Sequence, residues 1–142
     1  MAKERASASE RQVRRVSSGT AWEPVVGYSR AVAAGDWVFV SGCTSVAGAE
    51  IVHAEDSYAQ TLQAIGNVRS ALEGLGASLA DVVRTRMYVT DISQWAQVGR
   101  AHAEAFGDVR PATSMVQVAA LIDPALLVEV EAVAYRPGIG RG

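Results

Sequence analysis

The sequence predicts a single α+β domain in which two helices cover one face of a mixed six-stranded sheet. Three observations support this fold class. The chain of 142 residues is long enough for one packed domain and too short for two. Residues 56–75 carry apolar side chains at helical spacing, and residues 126–134 alternate with the period of a strand.

A short strand and a hairpin open the predicted domain. The first strand lies at about 12–17, and residues 29–33 lead through an Ala-Gly-Asp turn into an apolar strand at 37–42. Glycine and aspartate between two strand-like segments are typical of a hairpin turn.

A long amphipathic helix follows the hairpin. Asp56 is its predicted N-cap, the helix runs to about Leu75, and Gly76 ends it. Its apolar positions recur at steps of three and four residues: Tyr58, Leu62, Ile65, Val68, Leu72 and Leu75.

A strand at 81–89 and a second helix at about 93–106 come next. Alternation in this strand puts Val83, Thr85, Met87 and Val89 on one face, and Arg84, Arg86 and Tyr88 on the other. The helix presents Trp95, Val98, His102 and Phe106 along one side. We therefore interpret His102 as a packing residue.

Two final strands, at 113–119 and around Glu129, complete the sheet. In the last strand Val128, Val130 and Ala132 share one face, and Glu129 and Glu131 share the other. Because a lone buried carboxylate is costly, this second face must meet water, a cation or a ligand. A charged sheet face without a helix over it indicates an oligomer with ligand sites between subunits.

The composition argues against several classes of protein. A net charge of −2 is unusual for an electrostatic nucleic-acid binder, and no apolar run is long enough to cross a membrane. One cysteine, Cys43, excludes an internal disulfide framework, and residues 1–10 lack the apolar stretch of a secretory signal. We expect a cytoplasmic protein with no metal and no cofactor, since two scattered histidines do not form a metal site. Residues 1–10 and 138–142 are predicted to be flexible tails of a domain at 11–137.

Five segments, in this order, resemble the Rid family of reactive-intermediate deaminases, also called the YjgF family. Together they cover roughly residues 12–136. They are GYSRA at 27–31, VFVSG at 38–42, the helix with Gln60, Leu62, Asn67, Leu72 and Gly76, DVV at 81–83 with Asp91, and RPA at 110–112 followed by VEVEA at 128–132.

The resemblance implies a fold, an assembly and an activity. Members form homotrimers with clefts between subunits, and active members hydrolyse imines or enamines, especially 2-imino acids, without metal or cofactor. By this resemblance Glu129 orients or activates the water, and Tyr28 and Ser41 shape the cleft.

One position departs from the family pattern. The arginine that binds the substrate carboxylate is replaced by Thr113, which offers a single neutral donor. Losing a charge-assisted contact of about 1.5–3 kcal/mol weakens binding by roughly ten- to a hundredfold. Thr113 and Met115 on one strand face would make the cleft less charged, although Met115 is equally explained by packing.

Arg86 and Glu129 each keep two interpretations. Arg86 either restores anion binding in the cleft or pairs with Glu131 on the open sheet face. Glu129 either acts as the base of a hydrolytic deaminase or only pairs with an arginine. The sequence therefore predicts binding of a small organic molecule in intersubunit clefts. It leaves open deamination of an imine or enamine other than ordinary 2-imino acids, or a non-catalytic binding or regulatory module.

Overall fold

A six-stranded sheet forms the centre of the protein. The computed structural model describes residues 13–141, and the side chains of residues 13–140. The strand order is β1-β2-β3-β8-β6-β7, and only β6 and β7 run parallel. The sheet strands are β1 (Val13–Val16), β2 (Ala31–Ala34), β3 (Trp37–Cys43), β6 (Val82–Val89), β7 (Ala112–Gln117) and β8 (Val128–Tyr135). A separate small hairpin contains β4 (Val46–Ala47) and β5 (Glu50–Ile51).

Two long helices cover one face of this sheet. Helix α2 (Ser57–Gly74) packs against β3 and β8, and α3 (Trp95–Phe106) packs against α2. Asp56 caps α2 as predicted, because its carboxylate accepts a hydrogen bond of 2.9 Å from the backbone of Ala59. Gly76 follows the helix with φ of 88°, a conformation that favours glycine. The predicted mixed sheet and its two helices are confirmed.

The sequence missed several short elements. A five-residue helix, α1 (Trp22–Val26), precedes β2, and the small hairpin β4–β5 follows β3. Two strands end earlier than predicted, β1 at Val16 and β7 at Gln117. The predicted flexible segment 1–10 lies outside the described residues.

A bulge in β6 corrects the predicted facing of Val83. The pairing between β6 and β8 shifts between Val82 and Arg84, which leaves Val83 as an extra residue on its strand. Val82 is buried in its place, and Val83 is 42% exposed. From Thr85 onward the alternation is as predicted, with Thr85, Met87 and Val89 buried.

Trp95 does not share the buried side of α3. Its side chain is 62% exposed, whereas Val98 and Phe106 are buried. Trp95 is the first residue of the helix, directly after a 3-10 turn at Ile92–Gln94, so the packed face begins one turn later.

The uncovered sheet face is apolar at one end. Trp37 and Phe39 of β3 are 44% and 49% exposed, and the Trp37 ring lies 4.9 Å from the ring of Tyr135 on β8. The sequence argument had identified only the charged part of this face. Exposed aromatic side chains on a sheet are typical of a protein interface.

The C-terminal segment packs against the domain beyond the predicted boundary at 137. Ile139 is only 7% exposed and belongs to the core. The backbone oxygen of Ile139 accepts a hydrogen bond of 2.9 Å from Arg14, and Gly140 N donates to Gly35 O at 2.8 Å. These contacts favour a domain that includes residue 139.

Replacing Ile139 by alanine is expected to lower the free energy of unfolding by about 2 kcal/mol, because burial of such a side chain is worth roughly 1.5–3 kcal/mol. The matched control is Ile122→Ala, since Ile122 is 69% exposed; it should change stability by less than about 0.5 kcal/mol. Urea unfolding at equal protein concentration measures both. Equal losses in the two variants would contradict the packing of Ile139.

Candidate functional site

The charged part of the open face is built by β6 and β8. Glu131 lies opposite Arg86 in the pairing of these strands, and the guanidinium is 3.7 Å from the carboxylate. The hydroxyl of Tyr88 donates a hydrogen bond of 2.6 Å to the same carboxylate. Arg86 is therefore engaged with Glu131, which is the pairing that the sequence had offered as one of two interpretations.

Glu129 lies directly over the backbone of Gly42. A Cβ added at Gly42 would be 2.2 Å from Oε1 and 2.5 Å from Cδ of Glu129. The pairing of β3 with β8 shifts between Val40 and Cys43, so an extra residue bulges at this point. Only glycine leaves room here for the carboxylate.

The surroundings of Glu129 disfavour its charged form. Burial raises the pKa of this carboxyl, and the negative charge of Glu131 raises it further. The guanidinium of Arg30 acts in the opposite direction. A carboxylate with a raised pKa binds a proton more readily, and this is the property required of a general base.

Arg30 is a buried cation that organises this region. It is 8% exposed, and its Nη1 donates to the backbone oxygen of Gly42 at 2.6 Å. Its Nη2 donates to the hydroxyl of Tyr28 at 3.2 Å, and the guanidinium lies 5.5 Å from the centre of that ring. The sequence analysis included Arg30 in a motif but assigned it no role. The position of Arg30, a charged residue directly before the buried strand β2, could have indicated such a role.

Tyr28 and Ser41 line an open cleft of about 780 Å³. The hydroxyl of Ser41 donates a hydrogen bond of 2.7 Å to the backbone oxygen of Ser29. Glu129 is not part of the cleft lining but lies over Gly42, the residue after Ser41. The structure thus puts Tyr28 and Ser41 in one cleft, and it puts Glu129 against the residue that follows Ser41.

Glu23 holds the loop that enters this cleft. Burial alone would raise its pKa, but hydrogen bonds from the hydroxyls of Ser18 and Thr20, at 2.7 and 2.6 Å, lower it to about 2. The backbone oxygen of Glu23 also accepts a hydrogen bond of 3.0 Å from Tyr28 N. Glu23 therefore fixes the start of the segment that carries Tyr28.

Thr113 and Met115 lie on the opposite side of the sheet from Glu129. They pair with Thr85 and Met87 of β6, which face the helices. Met115 packs against the core, while Thr113 is exposed at the edge strand β7. Within one chain, therefore, the structure does not bring Thr113 and Glu129 together.

His102 is the unexpected neighbour of Thr113. Its Nε2 lies 2.8 Å from the hydroxyl of Thr85 and 3.3 Å from the hydroxyl of Thr113. The two threonine hydroxyls also bond to each other. Helical spacing had suggested only a packing role for His102, and its ring does contact Phe106 at 4.7 Å. Spacing along helix α3 cannot predict these hydrogen bonds, because the two threonines lie on separate strands.

Other reaction types have less support at this site. Burial raises the pKa of the Cys43 thiol to about 11, despite the opposing effect of Arg30, so a thiolate is scarce at neutral pH. In residues 13–141, no three histidine, cysteine or acidic side chains lie close enough together to hold a metal ion. None of the helices in that range is long and apolar enough to cross a membrane.

Comparison with known proteins decides the family. The family described as endoribonuclease L-PSP matches residues 18–136. The chain belongs to this family. Rv2704 of Mycobacterium tuberculosis, a member of the YjgF/YER057c/UK114 family of known structure, is 54% identical over 87% of this chain and 98% of its own, with a TM-score of 0.80. The predicted YjgF-type membership and fold are confirmed.

Two further relatives belong to bacteria. The Streptomyces coelicolor protein SCO2049 is 42% identical over 127 residues, which are 89% of this chain and 95% of that protein. The 3-aminoacrylate deaminase RutC of Acinetobacter baylyi is 32% identical over 113 residues, which are 79% of this chain and 89% of that protein. These relatives match nearly the whole described domain.

Replacing Gly42 by alanine is expected to displace the carboxylate of Glu129, because the new methyl group would overlap it. A crystal structure of the variant measures the displacement. Gly66→Ala is the control, since nothing lies within 4 Å of a Cβ at that helical position, and it should leave Glu129 in place. An unmoved carboxylate in Gly42→Ala would contradict the close approach.

The stability of the protein is expected to depend on Glu129 and pH. The pKa of Glu129 is raised in the folded state, so folding is favoured when this carboxyl is protonated. That stabilisation is complete below the ordinary glutamate pKa of about 4.3. The contribution is lost as the pH rises through the folded-state pKa. Glu129→Gln should therefore be more stable than the wild type at pH 7, and the difference should vanish near pH 4. Thermal unfolding at both pH values measures this.

The matched control is Glu50→Gln, at an exposed position on strand β5. It should change Tm little, as an exposed surface substitution does. A Tm difference for Glu129→Gln that is the same at pH 4 and pH 7 would contradict a raised pKa at Glu129.

Proposed function

We propose that the protein is a cofactor-independent hydrolase that deaminates an imine or enamine metabolite other than an ordinary 2-imino acid. The observation that carries this proposal is Glu129, a half-buried carboxylate with a raised pKa beside a cleft lined by Tyr28 and Ser41. The similarity to the 3-aminoacrylate deaminase RutC, at 32% identity, supports the same class of reaction.

Hydrolysis of a C=N bond needs one water and one proton acceptor. An enamine first tautomerises to the imine. Glu129 accepts a proton from water as the oxygen adds to carbon, and it returns that proton to the nitrogen as the C=N π bond opens. In the collapse of the carbinolamine, Glu129 takes the hydroxyl proton and passes it to the amino group as the C–N bond breaks, which releases ammonia and a carbonyl product. A raised pKa makes the Glu129 carboxylate a stronger proton acceptor than an ordinary glutamate, which suits these proton transfers.

A complete cleft of this kind requires two subunits. Glu129 lies on the open face of the sheet, and Thr113 lies on the helix side of the edge strand β7. One chain cannot direct both side chains at one small molecule. The exposed Trp37 and Phe39 on the open face supply apolar surface for a symmetric assembly, and we propose a cytoplasmic homotrimer.

Thr113 defines which substrates are disfavoured. A threonine hydroxyl gives one neutral hydrogen bond, whereas an arginine binds a carboxylate through two charge-assisted ones. Arg86 does not replace that arginine in this proposal, because its guanidinium pairs with the carboxylate of Glu131. The preferred substrate is therefore uncharged at the end that meets Thr113.

A binding module without catalysis is the second candidate. The observation that favours it is the engagement of cleft side chains within the protein: Ser41 donates to Ser29, and Tyr28 accepts from Arg30. Such a module would bind a small molecule in the same cleft and release no product. RNA cleavage, the activity named in the family description, has less support, because the net charge of −2 does not favour binding of a polyanion.

An ammonia-release assay distinguishes these candidates. With 2-iminobutanoate generated in situ, we expect slow turnover by the wild type and a kcat/KM at least about tenfold higher for Thr113→Arg, because the variant regains a charge-assisted contact. Adding Glu129→Gln to either protein should lower kcat by roughly 10²-fold or more, the usual contribution of a general base.

Two outcomes would contradict parts of this proposal. Fast wild-type turnover of 2-iminobutanoate, lost in Glu129→Gln, would show that Thr113 does not exclude carboxylates. No turnover by Thr113→Arg, while the protein still binds the 2-oxobutanoate product, would favour the binding module.

A further inference from the structure

Three polar side chains from three elements form a chain of hydrogen bonds. His102 of α3 bonds through Nε2 to Thr85 of β6 at 2.8 Å, and Thr85 bonds to Thr113 of β7. Thr85 is fully buried, whereas Thr113 is exposed. His102 is partly exposed, so Thr113 is the most exposed member of the three and the one that can best contact a ligand.

The number of protons in the chain determines what Thr113 offers. Each hydroxyl can donate one hydrogen bond. Nε2 of histidine either carries a proton and donates a hydrogen bond, or carries none and accepts a hydrogen bond. If Nε2 carries a proton, it donates to Thr85, Thr85 donates to Thr113, and the Thr113 proton is free for a ligand. If Nε2 carries no proton, Thr85 donates to it, and Thr113 donates to Thr85 or to Nε2 itself. Thr113 then offers a ligand only lone pairs.

Within residues 13–140, the hydrogen bonds and the ring contact of His102 are to uncharged side chains. These are Thr85 on β6, Thr113 on β7 and Phe106 on α3 itself. Burial is the cause that lowers the pKa of His102, so the ring is mostly neutral at pH 7. A neutral ring can adopt either tautomer, and Thr113 can then either donate or accept.

Several charged groups on the neighbouring elements have other partners. On β6, Arg84 donates a hydrogen bond of 2.7 Å to the hydroxyl of Ser114. On α3, the Arg100 guanidinium lies 4.0 Å from the centre of the Tyr58 ring on α2, and Glu104 accepts a hydrogen bond of 2.5 Å from the Tyr58 hydroxyl. The carboxylates Glu129 and Glu131 occupy the other face of the sheet. His102 is thus the titratable group bonded to Thr113.

We propose that His102, Thr85 and Thr113 form a relay that selects an uncharged hydrogen-bonding group, such as a carboxamide, at the Thr113 end of the ligand. His102 is a positioning residue, which acts on the ligand through the two hydroxyls. Once acid protonates His102, Nε2 can only donate, Thr113 becomes a fixed donor, and the added positive charge admits a carboxylate. This inference rests on the proposed function, because that function puts Thr113 in the ligand cleft.

The relay itself is tested without a ligand. The protein has two histidines, so its imidazole ¹⁵N NMR spectrum contains the signals of two rings. The signals that remain in His53→Gln are those of His102. Thr85→Val, which removes the buried hydroxyl, and Thr113→Val, which removes the exposed one, should both change the His102 tautomer ratio. Unchanged His102 signals in Thr113→Val would overturn the relay.

Selectivity is tested with two matched probes, 2-oxobutanamide and 2-oxobutanoate, whose binding is followed by NMR titration at pH 7.5 and pH 5. Both measurements use a Glu129→Gln background, so that the titration of Glu129 does not contribute. The amide should bind at least about tenfold more tightly at pH 7.5. The affinity for the carboxylate should rise about tenfold once the His102 ¹⁵N signals show that the ring is protonated, and His102→Gln, which keeps hydrogen bonding but cannot titrate, should abolish that rise.

The outcomes separate this inference from the function on which it rests. Binding of both probes with a pH dependence that is the same in the background protein and in His102→Gln overturns the relay and leaves the proposed cleft intact. Binding of neither probe at either pH contradicts both the proposed function and the ligand class assigned to Thr113.

Discussion

The alternation of strand β8 determines where the functional groups of this protein can lie. This strand is interior, between β3 and β6, and its Val128, Val130 and Ala132 fill the core under the helices. The intervening Glu129 and Glu131 must then face away from the core, since side chains alternate along a strand. A one-residue slip would bury both carboxylates and expose the valines. The fold and the position of the candidate base are therefore set by the same constraint.

Two local features adapt the open face around Glu129. The bulge at Gly42 lets the carboxylate approach the backbone, and Arg30 supports that backbone from the buried side. Arg30 also bonds to the hydroxyl of Tyr28, so one buried cation links the cleft tyrosine to the bulge. The surroundings of Glu129 raise the pKa of its carboxyl. Arg86 forms its ion pair with Glu131 and not with Glu129. This separation leaves Glu129 available for chemistry.

The spacing of apolar and polar residues was sufficient to predict features that depend on a single helix or strand. It identified the long helix with its Asp56 cap, the open face with Glu129 and Glu131, and the mixed sheet, because each depends on side-chain spacing along one element. It failed where an extra residue enters a strand, as at Val83, since a bulge has no periodic signal. It also missed Arg30 and the bonds of His102 to Thr85 and Thr113, which join separate elements and depend on tertiary packing. Comparison with the family pattern identified Thr113 as the altered position, but only the structure revealed that it lies across the sheet from Glu129.

The central claim is that Glu129 and Thr113 can share a cleft only when they come from different subunits. Cysteine cross-linking tests this directly, because the one native cysteine, Cys43, is buried. The Glu129→Cys/Thr113→Cys double variant, treated with a short bis-maleimide, should give covalently linked subunits on a denaturing gel, and each single variant should not. Cross-links confined to single chains, or none in the assembled protein, would contradict the account.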